Sequence, residues 1–217
     1  MSTADETTSA PPRENRLDRR KARTRAALIG AARRMLAEQG RPEASIQEIT
    51  DAADVGFGSF YNHFDSKAAL FDAAIAETLA EHARLIEQAT AHLTDPAEVF
   101  AASVRLTGRL RRTHLQMARI LLHTGLPHLT DTEGMAVSAL RDLRAAATAG
   151  RLDIDDVHVA LACTGGALLG LLQLLENRPD LDPDTATDQL AANLLRMFGL
   201  GREEAHRIAA RPLPDLP

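Results

Sequence analysis

The sequence contains one cysteine, no tryptophan and few aromatic residues, which make up 3% of its 217 residues. The single cysteine, Cys163, excludes an internal disulfide framework and is typical of a protein from a reducing compartment. No segment shows the alternation of apolar and polar residues that a half-buried strand requires, whereas alanine, leucine and arginine are abundant. The sequence therefore predicts an all-α fold.

The motifs of the common enzyme classes are also missing. The eight histidines show neither the H-E-x-x-H pattern nor the Cys/His spacing of a zinc site, and Cys163 lies in an apolar run with no marked base beside it. No glycine-rich loop follows a strand, as a phosphate-binding loop would. We therefore predict no catalytic residue, no metal site and no cofactor.

Neither a secretory leader nor a membrane anchor is expected. The first residues, MSTADETTSAPPREN, include no apolar run of the kind that a signal peptide requires. The longest apolar run without formal charges spans residues 157–175 and contains His158, Thr164 and Gln173. We interpret it as a buried helix rather than a membrane span, and we predict a cytoplasmic protein.

Charge is distributed unevenly along the chain, although its net value is −5. Residues 13–67 contain 11 Lys and Arg against 8 Asp and Glu, which gives this segment a net charge of +3. Residues 68–217 contain 14 against 20 and are net acidic. A basic front joined to an acidic body indicates a polyanionic partner for the front alone.

The N-terminal part of the chain is predicted to consist of a disordered tail followed by three helices. Residues 1–16 are rich in Ser, Thr and Pro, which predicts disorder. A first amphipathic helix ends at Gly40, and Ser45 with Glu48 forms a capping-box pattern that starts a second, short helix. A third helix is predicted from about Phe57 to Phe64. Two short helices joined by a tight turn predict a helix-turn-helix head over residues 17–66.

The remaining residues, 67–217, predict a larger helical body. Asp95 before Pro96 and Asp182 before Pro183 are helix starts, because aspartate caps the first turn and proline suits its first position. The segment GLPH at 125–128 breaks the run that starts at Asp95. Later helices are predicted over about 132–149, 155–176, 182–198 and 202–210.

The segments TRAALIGAARRMLAEQG and SIQEITDAADVGFGSFYNHFDSKAALF resemble the N-terminal signature of the tetracycline-repressor (TetR) family of bacterial transcription regulators. The resemblance covers about fifty residues. It implies a homodimer that binds double-stranded operator DNA through its heads and is released by a small-molecule effector. This chain has Asp54 and Gly56 where the family usually has Gly and Ser, and Asp54 is still able to adopt a left-handed turn conformation.

The resemblance and the chemistry of the residue types together nominate contacts to DNA. The N-terminal residues of a recognition helix meet base edges, which here are Phe57, Gly58 and Ser59. Packing within the head is an equally good interpretation of Phe57. Side chains with N–H or O–H donors suit phosphate oxygens; at the family's phosphate-contact positions these are Tyr61, His63 and Lys67, and further candidates are Ser45, Arg20 and Arg23.

Two groups of body residues are nominated for an effector site and a dimer interface, although plain core or surface placement remains open for each effector residue. The effector-site candidates are Phe100, Val104, Gln116, Met117, Arg119, Ile120, His123, Leu140 and Leu168. The dimer candidates, chosen for small or apolar side chains at helical spacing, are Ala162, Gly166, Gly170, Leu190, Leu194 and Met197. The alternative is a constitutive DNA-binding regulator without an effector; a large internal pocket favours ligand control, and a filled core favours the alternative.

Overall fold

The computed structural model describes residues 16–40, 43–130 and 134–216, so the predicted disordered tail lies outside the described residues except for Arg16. The described residues form nine α-helices and two 3-10 helices without any strand, which confirms the all-α prediction. The α-helices are α1 (Arg16–Gln39), α2 (Ile46–Ala52), α3 (Lys67–Thr90), α4 (Pro96–Thr113), α5 (Leu115–Thr124), α6 (Met135–Thr148), α7 (Val157–Asn177), α8 (Pro183–Met197) and α9 (Arg202–Ala209). The 3-10 helices are Phe57–Asn62 and Leu126–Thr130.

The local start and turn signals of the head act as the sequence predicts. The Ser45 side chain accepts a hydrogen bond from the backbone N–H of Glu48, and the Glu48 carboxylate accepts one in return from the backbone N–H of Ser45 at 2.7 Å. Asp54 has a φ of 53°, so it adopts the left-handed conformation that the turn between the two short helices requires. The chain therefore reverses where predicted.

The third element of the head differs from the prediction of an α-helix over about 57–64. It is a 3-10 helix that ends at Asn62, with backbone hydrogen bonds from Ser59 N–H to Gly56 O at 2.8 Å and from His63 N–H to Phe60 O at 2.9 Å. These bonds span three residues rather than four, which makes a tighter turn. Two glycines at its start, Gly56 and Gly58, lower the intrinsic preference for an α-helix.

One apolar cluster joins the head to the body. Phe60 is fully buried in it and Phe64 nearly so, against Leu28 of α1 and Ile49 of α2. The same cluster continues into the body through α3, the end of α4 and the buried side of α5, including Leu70, Leu110, Met117, Ile120 and Leu121. The head therefore rests on the body through a continuous apolar interface along α1, α3 and α5.

The second cluster fills the body around α4. Phe100 of α4 packs edge-on against Phe198, with ring centroids 5.7 Å apart, and α6, α7, α8 and α9 complete the shell. The backbones of α4 and α8 approach closely at Gly108, where an added Cβ would lie 2.3 Å from Cγ2 of the buried Thr187. Only glycine permits this approach, and it fixes α8 against α4.

The predicted helix starting at Asp95 is interrupted before the GLPH segment. It ends at Thr113, and α5 begins at Leu115 after His114 leaves the helical conformation with φ −136° and ψ 58°. Neither glycine nor proline marks this break, so the sequence carries no local signal for it. The break turns α5 away from the axis of α4 and onto α1.

Candidate nucleic-acid interface and internal cavity

The residues nominated for base and phosphate contacts lie together on the outside of the head. We call Phe57, Gly58, Ser59, Tyr61, His63 and Lys67 the head surface. Phe57 and Tyr61 are 47% and 56% exposed although they are aromatic. Exposed rings of this size are uncommon on a helix that has a core to pack against, and such exposure is typical of a binding surface.

Gly58 occupies an open position on the head surface. A Cβ added to it would meet no atom within 4 Å, so packing inside the chain does not require glycine here. Its φ is not in the left-handed region either. The absence of a side chain therefore leaves room for a partner outside the chain, such as the edge of a base pair.

Tyr61 is held in place by its neighbours. Its ring meets the buried ring of Phe60 edge-on, with centroids 5.4 Å apart, and the ring of Phe57 at 6.1 Å. Phe60 is in turn 6.1 Å from Phe64, over which the Arg25 guanidinium lies at 5.4 Å. The exposed phenol ring is therefore packed against two other aromatic rings, and its hydroxyl is able to donate a hydrogen bond to a phosphate oxygen.

The head surface lies in a positive field. Partial burial lowers the pKa of His63 below its ordinary value, and the charges of Lys21 and Arg25 lower it further. A phosphate bound nearby would raise the pKa of His63, in the direction opposite to the effect of those two cations. Lys67 begins α3. The pKa of Glu48 is lowered mainly by its hydrogen bonds with Ser45, and to a smaller extent by the charge of Lys67.

Ser45, Arg20 and Arg23 have different placements. The Ser45 hydroxyl donates to the Glu48 carboxylate at 2.7 Å, so this side chain is already engaged in capping α2. Arg20 and Arg23 lie exposed in the first turns of α1. They extend the basic side of the head beyond the head surface.

Replacing Lys67 with alanine is expected to weaken binding to every DNA sequence alike, because a phosphate contact carries no base information. The slope of log affinity against log salt should fall by about one per lysine removed. Fluorescence anisotropy with two unrelated duplexes over a salt series measures both effects. Arg207→Ala, which removes an exposed cation from α9, is the matched control; an unchanged slope in Lys67→Ala would remove this lysine from the interface.

The body contains a partly open cavity with a volume of about 100 Å³. We call it the central cavity. Its walls come from α3, α4, α6 and α7, with Leu129 of the second 3-10 helix. The lining residues are His82, Ala83, Ile86, Glu87, Phe100, Ser103, Val104, Thr107, Leu129, Met135, Ala136, Ser138, Ala139, Arg141, Asp142, Leu143, Leu161, Thr164, Gly165 and Leu168.

Only part of the nominated effector set lines this cavity. Phe100, Val104 and Leu168 do so, and Leu140 lies in the adjoining cluster. The five candidates on α5 are elsewhere: Gln116 and His123 are exposed, Met117 and Ile120 are buried in the head cluster, and Arg119 pairs with Glu176 at 3.4 Å. The structure does not place these five residues in the cavity wall, because α5 packs on α1 instead.

Charged groups in the cavity wall are paired with one another. Arg141 of α6 lies 2.9 Å from Glu87 of α3 and 3.2 Å from Asp142. Burial raises the pKa of Asp142 above its ordinary value, although Arg141 acts in the opposite direction. These residues were not nominated from the sequence, because an Arg-Asp pair on an amphipathic helix is indistinguishable from a solvated face.

His82 is the other cavity residue that the sequence did not nominate. It is 5% exposed, and burial lowers its pKa to about 4. It lies three residues after Leu79 and four before Ile86, which places a polar side chain on the apolar stripe of α3. A histidine within this apolar stripe is the sequence feature that could have identified His82.

The pKa of His82 predicts an acid-sensitive contribution to stability. The folded protein holds this imidazole neutral to about pH 4, whereas the unfolded chain protonates near 6.5, so unfolding takes up a proton between these values. Stability is therefore fully present above pH 6.5 and falls by about 3 kcal/mol as pH decreases to about 4. Denaturant unfolding of the protein and of His82→Gln over this range measures the difference. If the two show parallel pH profiles, the assignment is wrong.

The dimer candidates on α7 form an exposed line. Ala162, Gly166 and Gly170 face outward, and a Cβ added to either glycine would meet nothing within 4 Å. We call these three residues, with Val159 and Leu174, which are 60% and 45% exposed, the α7 face. Much of α7 is thus uncovered within one chain, which differs from the buried helix that its composition suggested. By length and hydropathy alone α7 also resembles a membrane span, a weak indication.

The candidates on α8 divide between surface and core. Met197 is 53% exposed and Leu190 is half-buried, while Leu194 is 4% exposed and packs in the core of its own chain. Leu194 therefore supports α8 from inside. The exposed members of the nominated interface are Ala162, Gly166, Gly170 and Met197, and the exposed Val159 and Leu174 of the α7 face were not nominated.

Helices α3 and α4 each contribute residues both to the head cluster and to the wall of the central cavity. In its middle turns, α3 holds α1 through ion pairs from Arg25 to Glu77 at 2.6 Å and from Arg33 to Glu81 at 2.9 Å. The next residue along, His82, already lines the cavity.

Comparisons with known proteins agree with this architecture. The family profile described as bacterial regulatory proteins, tetR family, matches residues 28–74, and the profile described as tetracyclin repressor-like, C-terminal domain, matches residues 95–211. The curated HTH-type transcriptional repressor DhaR of Mycobacterium sp. (strain GP1) is 37% identical over 59 residues, and the match spans 27% of this chain and 30% of DhaR.

Solved structures extend the similarity to the body. The structure of RolR in complex with resorcinol is 33% identical, covers 91% of this chain and 98% of the RolR chain, and superposes with a TM-score of 0.71. A tetR family transcription regulator from Shewanella sp. PV-4 is 14% identical, with coverage of 82% and 99% and a TM-score of 0.70. The latter likeness is one of fold.

Proposed function

Because the chain belongs to the TetR family of bacterial transcriptional regulators, we propose that it is a homodimeric cytoplasmic repressor that a small molecule in the central cavity releases from operator DNA. The proteins that it resembles are transcriptional regulators rather than enzymes. The head, residues 17–66, would bind DNA. The body, residues 67–217, would hold the effector and the dimer partner.

DNA binding is assigned to the head surface. Gly58 and Ser59 would approach the base edges with Phe57 beside them, and Tyr61, His63 and Lys67 would hold the phosphates on either side. The open space at Gly58 and the exposure of Tyr61 support this division. Arg20 and Arg23 would reach the backbone from α1, and Ser45 would act mainly by fixing α2.

Dimerisation is assigned to the α7 face and Met197. A stripe of small and apolar residues that no other described part of the chain covers is suited to the close approach of a second helix. Two copies related by a two-fold axis would place two heads side by side, as a palindromic operator requires.

The observation that carries ligand control is the central cavity itself. A constitutive regulator has no need of a partly open cavity of about 100 Å³, whereas a mostly apolar cleft with a few polar groups is the usual form of a small-molecule site. RolR, which is 33% identical over nearly its full length, has been solved with resorcinol. Both points favour an effector over the constitutive alternative.

The test begins with footprinting on the DNA that flanks the protein's own gene, where an autoregulatory palindrome is expected. The operator found there is labelled, and resorcinol is titrated into the complex while fluorescence anisotropy reports release. Protection of a palindrome followed by release supports the proposal. Protection with no release by resorcinol or by any single-ring compound would favour the constitutive alternative.

Filling the central cavity is expected to lock the protein on its operator. Ala83 is a buried wall residue, and leucine at this position adds about three carbon atoms to a space of one-ring size. Ala83→Leu should keep operator affinity within about threefold while raising the effector concentration needed for release on the order of 100-fold. Ala76→Leu, an exposed position on the same helix, is the matched control. Normal release in Ala83→Leu would place the effector elsewhere.

A further inference from the structure

A histidine–threonine pair spans the wall of the central cavity. Nε2 of His82 on α3 lies 2.9 Å from Oγ1 of Thr107 on α4, and both residues are buried. The pair joins the two helices deep in the protein, next to the empty volume. Whether the free nitrogen of His82 donates or accepts a hydrogen bond depends on which nitrogen of the imidazole carries the proton.

The hydrogen bonds of Thr107 assign that proton. Its hydroxyl lies 2.7 Å from the backbone carbonyl oxygen of Ser103, and a carbonyl only accepts hydrogen bonds. The single hydroxyl hydrogen of Thr107 is therefore donated to Ser103. Toward His82 the Thr107 oxygen must accept, so Nε2 of His82 carries the hydrogen. Because the neutral ring has one N–H, Nδ1 holds a lone pair and is an acceptor.

The imidazole is neutral in the folded protein over the physiological range. Burial alone lowers its pKa to about 4. The neighbouring carboxylate of Glu81 is paired with Arg33 at 2.9 Å, and Arg141 at the cavity is paired with Glu87 and Asp142. No proton is therefore available on Nδ1 to donate.

Nδ1 of His82 has no hydrogen-bond partner among the described residues, although the atom is buried. An acceptor left unpaired in an apolar interior costs about 1–3 kcal/mol. Its ring borders the central cavity, and the surrounding wall is largely aliphatic and aromatic, including Phe100, Val104 and Leu161. His82 lines the cavity, but Nδ1 itself is closed off from a group the size of water, so a donor in the cavity reaches this nitrogen by displacing the ring or a covering side chain.

The cavity also limits the size and charge of that occupant. Its volume of about 100 Å³ is smaller than that of an engineered apolar cavity of about 150 Å³ that binds benzene, so it holds no more than about one ring. Arg141, the one Lys or Arg among the described lining residues, already faces two carboxylates. A carboxylate on the occupant would find no free cation to neutralise it.

We propose that the central cavity recognises an uncharged molecule of about one six-membered ring through a hydroxyl group that donates a hydrogen bond to Nδ1 of His82. The proposal rests on the proposed function only in treating this molecule as the effector. Recognition itself is a property of the DNA-free protein. An apolar ring of the same size fits the walls but leaves Nδ1 unpaired, so the hydroxyl provides the selectivity.

Binding to the DNA-free protein tests recognition. Isothermal titration compares phenol and resorcinol with toluene and 1,3-difluorobenzene, which have a similar shape but no O–H, and with benzoate, which is charged. The hydroxylated rings should bind at least about tenfold more tightly than the rings without O–H, and benzoate should not bind. Equal affinity for phenol and toluene, or no binding of any hydroxylated ring, would overturn the proposal.

Two variants locate the acceptor on the imidazole. His82→Asn places an amide where Nδ1 was, whereas His82→Gln places its amide where Nε2 was and keeps a group facing Thr107. Asn should retain most of the preference for phenol over toluene, and Gln should reduce this preference at least about tenfold. A purely structural role of His82 would change both affinities together and leave their ratio unaltered, which would count against the proposal.

A third measurement needs no variant. On addition of resorcinol to the intact protein labelled with ¹⁵N-histidine, the His82 Nδ1 resonance should move from the position of a free imidazole acceptor toward that of a hydrogen-bonded one. An unmoved resonance at saturating resorcinol would overturn the proposal even if both variants failed to fold.

Operator release is measured separately, by anisotropy on the same samples. If hydroxylated rings bind through His82 but do not release the operator, the inference holds and the proposed function fails. If they release the operator with no dependence on His82, the proposed function holds and the inference fails.

Discussion

Phe60→Ala should strongly weaken operator binding although Phe60 itself is not assigned to DNA. Phe60 is fully buried at the centre of the head cluster, with its ring 6.1 Å from Phe64 and 5.4 Å from Tyr61. Removing a buried phenylalanine side chain costs about 3–5 kcal/mol. The head holds only α1, α2 and one 3-10 helix, so little apolar surface remains to offset that loss.

Two measurements distinguish unfolding of the head from the loss of a single DNA contact. Operator affinity should fall on the order of 100-fold or more, because only the fraction of molecules with a folded head binds. Hydrogen exchange should accelerate in α2 and around the 3-10 helix, while α8 and α9 stay protected. Normal operator affinity in Phe60→Ala would mean that the head does not depend on this ring.

Tyr61→Ala is the matched control for the same experiment. It removes an aromatic ring from the adjacent position, but Tyr61 is 56% exposed, so the stability cost should remain below about 1 kcal/mol. Operator affinity should still fall on the order of tenfold, through a lost phosphate contact. Equal losses of stability in the two variants would show that the ring cluster is not divided into a packing side and a DNA side.

Signals contained within a few residues could be predicted from the sequence. Ser45 and Glu48 form the capping box, Asp95 and Asp182 cap α4 and α8, and Asp54 adopts the left-handed turn. Each depends on the hydrogen bonds or backbone angles of a single turn. Such interactions do not require knowledge of what the helix packs against.

The orientation of α5 could not be predicted in this way. Its apolar periodicity identifies a helix with a buried side, and that side is indeed buried. Periodicity does not reveal which partner covers it, and here the partner is α1 rather than the central cavity. Gln116, Arg119 and His123 were therefore assigned to a wall that they do not line. The break at His114, which redirects α5, has no glycine or proline to mark it.

The polar residues of the central cavity were missed for a related reason. Thr107 and Asp142 gain their significance from helices distant in sequence, through contacts such as the one from His82 to Thr107. His82 alone interrupts an apolar stripe, as a histidine satisfied within an ordinary core also does. The unpaired Nδ1 that distinguishes the two cases is visible only when both helices are in place.

The largest electrostatic effect is expected on the side of α4 that packs against α8. Arg105 is 4% exposed, and its Nε lies 2.6 Å from the Asp188 carboxylate, which also accepts a hydrogen bond from Arg109. Arg105 donates a further hydrogen bond to the backbone carbonyl of Arg211 at 2.7 Å, which anchors the end of the chain. The Asp188 carboxylate thus contacts two cations on α4, of which Arg109 is also paired with Asp184 at 3.3 Å and Arg105 is not.

Asp188→Ala should lower the free energy of unfolding by about 3 kcal/mol, because it leaves a buried guanidinium without its counter-ion. Asp180→Ala removes a carboxylate whose partner Arg178 is 56% exposed, and this control should cost less than about 1 kcal/mol. Urea denaturation of the three proteins measures both values.

The double variant Asp188→Ala, Arg105→Met distinguishes a stranded charge from lost packing. Methionine keeps much of the buried aliphatic volume of Arg105 and removes its charge, so the double variant should recover most of the stability that Asp188→Ala loses. Failure to recover would mean that the hydrogen bond from Arg105 to Arg211 O, rather than the ion pair, secures this interface. Because α4 also presents Phe100, Ser103 and Thr107 to the central cavity, Asp188→Ala should in addition weaken the ring binding proposed for that cavity, and the double variant should restore it.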